Sequence, residues 1–582
     1  MRLVAFDSCA QLAADLRKAA KESVGPYGFG GGGPMPEVIR GGARTMAQDA
    51  AAAPAAAAGK EFSGTNNHEQ SADEPDIVKT DGRRIVTLDQ GTLRVVDAAS
   101  RKLTGRLDLD IPGAAYQVQL LLSGDLALVL VPSGISRLKT VKEPAGPQLL
   151  LVDLSGAPKI VSEYQGEGTL VDARLTGSTA RIVLKTAPRI NFPMESDFSD
   201  EKKRLSANRK AIDAASLDAW LPGWEVTTGT QVSKGKVDCG KVSRPAEYSG
   251  GSLVSVLTFD LTRPTLGSGD PVTVVADSDT VYATADSLYL AADQRWRYDW
   301  FQGRAELPVN QETDLYRFTT TGNQPPVYAA AGTVPGFLIN QYAMSEWDGH
   351  LRVATTNEQA GKSAVRVLRQ SGDKLVQTGI VDGLGKNEKI YSVRFIGPRG
   401  YVVTFRQTDP LYSLDLSDPA QPRVTGELKI TGYSAHLQPA GDGRLIGVGQ
   451  EADENGRVQG TQVSLFDVSD PADPRRLAQQ QIAGAQSEAE YDPHALLWWP
   501  ATNLLVVPVN SYGSSEALAM RVTAGEIETI GSLEHPTVAR DAYTPGIRRS
   551  LVVGDVLWTV SDSGLQANSL STMDKLSWLP NS

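Results

Sequence analysis

A repeated strand-and-turn segment is the feature that most restricts how this chain of 582 residues can fold. Each copy is an apolar strand that closes on aspartate, followed by a small polar residue and a turn that ends in proline. Four copies stand out: PQLLLVDLSGAP ending at Pro158, SLVSVLTFDLTRP ending at Pro264, PLYSLDLSDPAQP ending at Pro422 and TQVSLFDVSDPADP ending at Pro474. Internal repetition of this kind indicates a fold assembled from equal supersecondary units.

The spacing of the repeats indicates the size of the unit. Asp97 and Asp153 lie 56 residues apart, and Asp415 and Asp467 lie 52 apart, which suits a propeller blade of roughly 40–50 residues with longer loops. A second run, such as DGRRIVTL, RGYVVTF or TNLLVVPV, precedes the repeated strand and completes a hairpin. We therefore predict an all-β fold, a β-propeller of about eight four-stranded blades, with seven to nine possible. The number depends on whether the last hairpin, DVLWTVSDSGL, forms its own blade or completes the first.

Three segments of different character accompany the repeats. Residues 1–24 contain SCAQLAADLRKAAKE, in which Leu12 and Leu16 share one face of a short docking helix. Residues 25–60 are rich in Gly and Ala, a composition that predicts a flexible linker. Residues 61–582 hold the propeller domain, interrupted at 190–250 by an insertion with a helical pattern that ends before Pro222.

Charge and hydropathy exclude two classes of partner. A formal net charge of −11 and a pI near 5.2 argue against nucleic acid, whose binders carry an excess of Lys and Arg. Nothing in the sequence approaches about 18 consecutive apolar residues, so we expect no transmembrane segment in this chain. MRLVAF is too short for the apolar core of a signal peptide. Either the chain is cytoplasmic or a leader has been removed.

The two cysteines, Cys9 and Cys239, leave two interpretations open. Their separation fits no zinc-binding spacing. They are either two buried thiols or one long-range disulfide, which would require an oxidising compartment. A disulfide would clamp the docking helix to the insertion.

Longer motifs give the chain a family resemblance. TNNHEQSADEPDIVKTDG (65–82), GFLINQYAMSEWDGHLRVATT (336–356), YSVRFIGPRGYVVTFRQTDPLYSLDLSDP (391–419) and LFDVSDPADP (465–474) carry it. Over about residues 60–580 the chain resembles a bacterial and archaeal family of secreted proteins with a C-terminal β-propeller distantly related to WD40 repeats. The resemblance implies export and a removed leader, and it favours the Cys9–Cys239 disulfide. It supplies no catalytic residues.

An aromatic segment is the candidate ligand-binding region. In ADQRWRYDWFQGR, Trp296, Tyr298 and Trp300 alternate with Arg295 and Arg297. In an extended loop this alternation places rings on one side and charges on the other, and exposed rings with arginine suit glycans, peptides and carboxylates. The alternative is that the rings cover the propeller or pack on the insertion, while Trp498 and Trp499 face the core.

An acidic segment is the candidate metal site. In SEAEYDPHALLWWP, Glu488, Glu490, Asp492 and His494 alternate, so an extended backbone would put all four on one side. Such ligands suit Ca²⁺ or another divalent metal. The alternative is a solvated acidic loop. We interpret a second acidic cluster, in residues 73–76, as a polar approach to the first strand.

The sequence favours binding over catalysis. It contains no GxSxG, P-loop or HExxH motif. We therefore expect an exported or cell-surface module that binds or scaffolds a protein, peptide or envelope glycan. The alternative is a metal-dependent hydrolase with its site at the central channel.

Overall fold

The computed structural model describes residues 3–29, 61–111, 118–133, 146–193, 200–245, 251–293, 311–405, 409–453, 457–512, 514–536 and 545–581. Within these residues, nine antiparallel four-stranded units follow one another along the chain. We number them blades 1 to 9. In each blade the first strand lines the centre and the fourth lies farthest from it, and in blades 2 and 3 two more strands pair outside the fourth.

The strands of blades 1 to 3 are Val78–Thr80, Arg84–Asp89, Thr92–Asp97 and Lys102–Asp108; Gln119–Ser123, Leu126–Val131, Gln148–Asp153 and Lys159–Gly166; and Thr169–Thr176, Thr179–Thr186, Leu253–Asp260 and Val272–Val275. Those of blades 4 to 6 are Thr280–Ala283, Ser287–Asp293, Glu312–Thr319 and Val327–Pro335; Met344–Trp347, His350–Asn357, Lys362–Ser371 and Lys374–Leu384; and Lys389–Ile396, Arg399–Phe405, Asp409–Asp415 and Arg423–Ile430. Those of blades 7 to 9 are Tyr433–Pro439, Arg444–Ala452, Val458–Asp467 and Arg475–Ala483; Leu497–Trp499, Leu504–Ser511, Ser514–Val522 and Ile527–Leu533; and Ile547–Val553, Val556–Ser561, Gly564–Ser569 and Lys575–Pro580.

The blades close into a ring. Buried apolar clusters fill the interfaces between consecutive blades, and Trp558 of blade 9 packs with Ile85 and Val96 of blade 1. Closure removes the free sheet edges that an open stack would expose. The all-β propeller prediction is confirmed. The described blades number nine, the upper end of the seven-to-nine range rather than eight, because the last hairpin forms its own blade instead of completing blade 1.

The structure explains the repeated Asp-and-Pro turn. The aspartate that ends the third strand accepts a hydrogen bond from the backbone N–H two residues later, at 2.9–3.0 Å, in Asp153, Asp260, Asp415 and Asp467. The proline that follows packs on a glycine in the outer strand of the preceding blade, in the pairs Pro158–Gly105, Pro422–Gly379 and Pro474–Gly426. The motif therefore shapes a turn and packs one blade on the next.

The N-terminal helix and the insertion form one unit beside blade 3. The insertion separates the second and third strands of that blade. Leu12 and Leu16 of helix α1 (Cys9–Ser23) share a buried cluster with Ile212 of helix α2 (Glu201–Ala214) and with Trp220. A disulfide joins Cys9 to Cys239, with Cα atoms 5.6 Å apart. Helix α1 is therefore held against the insertion by this disulfide and by the shared apolar cluster.

Short elements complete this unit. They are the strands Leu3–Ala5 and Val242–Pro245 and the 3₁₀ turns Leu217–Ala219 and Cys239–Lys241. The insertion also contains the hairpin Gly223–Thr228 and Gln231–Lys236, which extends the sheet of blade 2 by pairing with its fourth strand. The strand Leu3–Ala5 joins the sheet of blade 3, so the N-terminal segment contributes more than a helix. Other 3₁₀ turns, Gln341–Ala343, Glu488–Glu490 and Pro493–Ala495, lie at the channel.

Candidate functional site in the central channel

Residues 62–77, which we call the plug, occupy the central channel. The plug forms isolated β-bridges from Phe62 to blade 9, from Asp73 to blade 3 and from Asp76 to blade 2. Its side chains and backbone reach the remaining blades from 4 to 8 as well. Its partners, in chain order, are Leu120, Leu175, Tyr282, Met344, Arg394, Gln438, His494 and Val552.

The polar composition of the plug suits this position. Asn66, His68, Glu74 and Asp76 are all buried, and a buried polar group is costly unless it finds a hydrogen-bond partner. The surrounding first strands and the turns that precede them supply those partners. Asn66 Nδ2 donates to the Pro493 carbonyl at 2.9 Å. The plug is thus held by directional contacts as well as by packing.

The most deeply buried ionic group of the plug is Glu74. Its Oε2 lies 3.1 Å from His494 Nε2, and its Oε1 lies 3.6 Å from Arg174 Nη2 and accepts from Gln341 Nε2 at 3.3 Å. Burial alone would raise the pKa of Glu74, but Arg174 and the hydrogen bond from His494 outweigh it and lower that pKa to about 2. Glu74 is therefore ionised near neutral pH.

His494 carries the matching positive charge. Burial would lower its pKa, but the Glu74 hydrogen bond and the charges of Asp492, Asp76 and Glu74 raise it to about 9. An imidazolium at this position cannot accept a proton, so it is not a general base near neutral pH. The pair acts as an ionic contact between the plug and blade 8.

A second buried ionic contact joins the plug to blade 9. The Arg549 guanidinium lies 2.7 Å from Asp76, 3.2 Å from Glu488 and 2.5 Å from Asp492. The carboxylates overcome the effect of burial and raise the pKa of Arg549. Arg549 therefore ties plug and blade 9 to the turns before blade 8.

The predicted metal set does not assemble. Residues 488–490 and 493–495 form 3₁₀ turns, so the expectation of an extended segment with four ligands on one side is wrong; a capping box between Ser487 and Glu490 and the proline at 493 impose the turns. Glu490 Oε1 lies 3.3 Å from Thr461, facing blade 7, whereas Glu488 and Asp492 pair with Arg549. Among the residues that the structure describes, no group of three or more His, Cys, Asp or Glu could hold a metal ion.

A second cluster of buried titratable side chains, in which the positive and negative charges are less evenly paired, lies on the other side of the plug. The Tyr282 hydroxyl donates to Glu69 at 2.7 Å, and burial raises the pKa of both groups. Burial lowers the pKa of Arg352 and of Arg394 to about 10. It also lowers the pKa of His68 to about 3, with help from the charge of Arg394. The His68 imidazole is therefore neutral and binds the Met344 carbonyl through Nε2 at 2.9 Å.

The plug leaves a cavity of about 130 Å³, which we call the channel pocket, beside blades 1, 8 and 9. Its walls are residues 62–67, Gln70, Asp76 and residues 78–80, together with His494, residues 496–499 and residues 549–551 of blades 8 and 9. Trp498 and Trp499 border it and are otherwise buried in the cores between blades, as the sequence predicted.

The sequence pattern indicates some of these residues and not others. It indicates His494, but as a metal ligand, and it indicates Glu74 and Asp76 only as a polar approach to the first strand. Arg174, Gln341 and Arg549 gave no sequence signal because they lie in separate blades. The aromatic candidates Arg295, Trp296, Arg297, Tyr298 and Trp300 fall outside the described residues.

The closed ring of four-stranded blades defines the class of protein as a β-propeller. The sequence matches the beta propeller domain family over residues 62–573, and the chain belongs to that family. No helix within the described ranges is long and apolar enough to cross a membrane.

Two archaeal proteins resemble the chain. An uncharacterized protein of Methanocaldococcus jannaschii is 34% identical over 251 residues, which are 43% of this chain and 37% of that protein. An uncharacterized protein of Archaeoglobus fulgidus is 28% identical over 502 residues, 78% of this chain and 76% of that protein. The solved structure of BamB from Moraxella catarrhalis aligns at 12% identity and a TM-score of 0.31, covering 67% of this chain and 85% of BamB.

Proposed function

We propose that this protein is an exported binding module that recognises a protein, peptide or envelope glycan on one face of the ring. The observation that carries the proposal is the plugged channel. Glu74, His494, Asp76 and Arg549 are committed to ion pairs that hold the plug, so the chemistry of the channel is used for structure. Recognition is then a task for the loops on the faces of the propeller, where such rings commonly bind ligands.

The chain order of the strands favours one of the two faces. Because neighbouring strands run antiparallel, the connections between second and third strands emerge where the first strands begin. The insertion of blade 3 connects Thr186 to Leu253, and the aromatic segment connects Asp293 to Glu312 in blade 4. We therefore propose that Arg295, Trp296, Arg297, Tyr298 and Trp300 bind the partner beside the insertion.

The disulfide supports the exported location. Cys9 and Cys239 are 230 residues apart and are joined in the structure. Disulfides persist in oxidising compartments and are rare in a reducing cytosol. In this proposal the covalent clamp keeps the insertion and α1 together on the binding face outside the cytoplasm.

The proposal can be tested by photo-crosslinking the purified protein to isolated cell envelopes and by a glycan array, with mass spectrometry to identify partners. We expect Trp296→Ala and Trp300→Ala to abolish the specific signal. Tyr512→Ala is the matched control, because Tyr512 is a fully exposed ring at the equivalent connection of blade 8. A signal that survives both tryptophan substitutions, or that is lost equally in the control, would contradict the proposal.

A further inference from the structure

The hairpin of the insertion ends the sheet of blade 2 in an exposed strand. Its first strand, Gly223–Thr228, pairs with the fourth strand of the blade, and Gln231–Lys236, which we call the edge strand, lies outermost of six strands. Five of the six residues of the edge strand are exposed to solvent. Among the described residues, no strand pairs with its outer side. The edge strand is therefore a free sheet edge at the rim of the ring.

The edge strand lacks the protection that the other rim strands have. The fourth strands of blades 1 and 4 to 9 each contain a β-bulge against the third strand. Bulges twist an edge and interrupt its ladder, so they discourage the addition of another strand. The sheet of blade 3 ends in Leu3–Ala5, which has only three residues. The edge strand instead pairs with Gly223–Thr228 in six consecutive steps without a shift of register.

The hydrogen bonds of the hairpin show which backbone groups this edge offers. The Val237 N–H donates to the Pro222 carbonyl at 2.9 Å, so residues 222 and 237 form a hydrogen-bonded pair. Hydrogen-bonded pairs alternate along an antiparallel hairpin, and residues 231, 233 and 235 therefore bond inward. The N–H and C=O groups of Val232, Lys234 and Lys236 point outward, where a further strand can bond to them.

The side chains of the same three residues select the partner. Val232, Lys234 and Lys236 share one face, because side chains alternate along a strand. Lys234 lies 2.9 Å from Glu225 and Lys236 lies 3.3 Å from Asp218, and all four of these side chains are exposed. Such surface pairs are weak and exchange readily. A strand that places acidic side chains opposite the two lysines gains a cross-strand charge pair at each.

A second copy of this chain fits the edge less well. If two edge strands paired antiparallel about Lys234, the two Lys234 ammonium groups would lie directly opposite each other, and Val232 would face Lys236. Like charges directly opposite each other destabilise a sheet. The lysines therefore favour an acidic partner over self-association.

The opposite face of the edge strand offers an aromatic contact. Gly235 has no side chain, and the Trp224 ring lies against it, since a Cβ at Gly235 would be 2.5 Å from Trp224 Cζ2. The Trp224 side chain is only half-buried. An apolar side chain placed beside Gly235 by an added strand can contact this ring.

We propose that the edge strand binds an extended acidic peptide of a partner protein, which joins the sheet of blade 2 as a seventh strand. Backbone hydrogen bonds give the affinity, and alternate side chains give the specificity. Lys234 and Lys236 pair with acidic side chains, and Trp224 contacts an apolar one, so the partner segment alternates acidic and apolar residues. The site uses none of residues 295–300. It therefore goes beyond the proposed function, and either proposal can fail without the other.

The test is fluorescence anisotropy of a dye-labelled peptide of eight alternating glutamates and valines with the full chain. One comparison probe carries lysine in place of glutamate. The other carries N-methyl groups on the glutamate amides, which removes the N–H groups that must face the edge when glutamate lies opposite lysine. We expect saturable binding of the acidic peptide, binding about ten-fold weaker for each comparison probe, and slower hydrogen exchange in residues 231–236 of the complex.

Two variants assign the binding to the edge strand. Lys234→Glu should weaken binding of the acidic peptide about ten-fold and strengthen binding of the basic one. Lys429→Glu is the matched control, because Lys429 is as exposed as Lys234 and also has a glutamate partner, but it lies on the bulged rim strand of blade 6. Val232→Pro removes one outward N–H and leaves the inner ladder intact, so it should weaken binding at least about ten-fold with an unchanged denaturation midpoint.

Three results would overturn the proposal. They are the absence of saturable binding of the acidic peptide, equal effects of Lys234→Glu and Lys429→Glu, and equal binding of the N-methylated peptide. Loss of the acidic-peptide signal in Trp296→Ala or Trp300→Ala would also overturn it, because the peptide would then bind at the loop face and not at the edge strand.

Discussion

Replacing Arg549 with methionine tests whether buried ion pairs hold the plug in the channel. Methionine keeps much of the side-chain volume but leaves Asp76, which is 4% exposed, without its guanidinium. Breaking a buried pair by removing one partner costs about 3–5 kcal/mol, because the remaining charge stays buried and uncompensated. Glu488 and Asp492 add less, since each is about a quarter exposed to water.

The assay follows chemical denaturation by tryptophan fluorescence and hydrogen exchange in residues 62–77. We expect Arg549→Met to lower the denaturation midpoint and to accelerate exchange in the plug before the outer strands respond. Arg475→Met is the control, because its partner Asp473 and Arg475 itself are exposed, and such surface pairs contribute little to stability.

A double variant separates the ion pair from packing. Arg549→Met combined with Asp76→Asn removes both charges, so it should recover part of the stability lost by Arg549→Met alone. A role of the Arg549 ion pair in holding the plug is excluded if Arg549→Met behaves like Arg475→Met, if exchange in the plug is unchanged, or if the double variant is no more stable than the single one.

Three further predictions concern pH, the disulfide and the blade interfaces. The pKa of His494 is raised from 6.5 to about 9, so the stabilisation that its positive charge gives the folded state is complete below pH 6.5 and falls by about 3 kcal/mol as the pH rises through 9. Thermal unfolding of His494→Gln should lack this alkaline decline, and a decline equal to that of the parent protein would contradict the ion-pair role of His494. Cys239→Ser should lower the stability of α1 by about 2–4 kcal/mol, which is measured as faster hydrogen exchange in residues 9–23 with unchanged exchange in the blades. If residues 9–23 are as protected from exchange in the variant as in the parent protein, the disulfide does not clamp α1. Gly426→Ala should lower the free energy of unfolding by about 1–3 kcal/mol through overpacking, because a Cβ at this position lies 2.7 Å from the Pro474 ring. Gly525→Ala is the control, since a Cβ there has open space and should change the denaturation midpoint little. Equal effects of the two substitutions would contradict a packing role for Gly426.

The fold could be predicted from sequence because its signals are local. The Asp-and-Pro turn repeats in each copy with the same hydrogen bond, so Asp415 and Asp467 mark the end of a strand without any distant contact. The number of blades could not be predicted exactly, because a local signal does not show which blade a hairpin belongs to. The last hairpin, which contains Trp558, has the same sequence pattern whether it forms its own blade or completes blade 1. Only its packing on Ile85 of blade 1 distinguishes these two arrangements.

The channel could not be predicted because its contacts are non-local. Glu74 meets His494 across 420 residues of sequence, and Asp76 meets Arg549 across 473. Alternation of Glu488, Glu490, Asp492 and His494 indicated shared chemistry only on the assumption of an extended backbone. The capping box of Ser487 invalidated that assumption by turning Glu490 away.

The plug also changes how the family resemblance is understood. Residues 65–82 carry part of that resemblance, and most of them are plug residues or the first strand of blade 1. The ring is too wide for the side chains of its first strands to fill, because the channel pocket remains open even with the plug in place. The polar side chains of the plug suit this position. The segment is therefore explained by assembly of the ring. Under the proposed function, recognition of a partner is therefore expected from the loops of the proposed binding face and not from this segment.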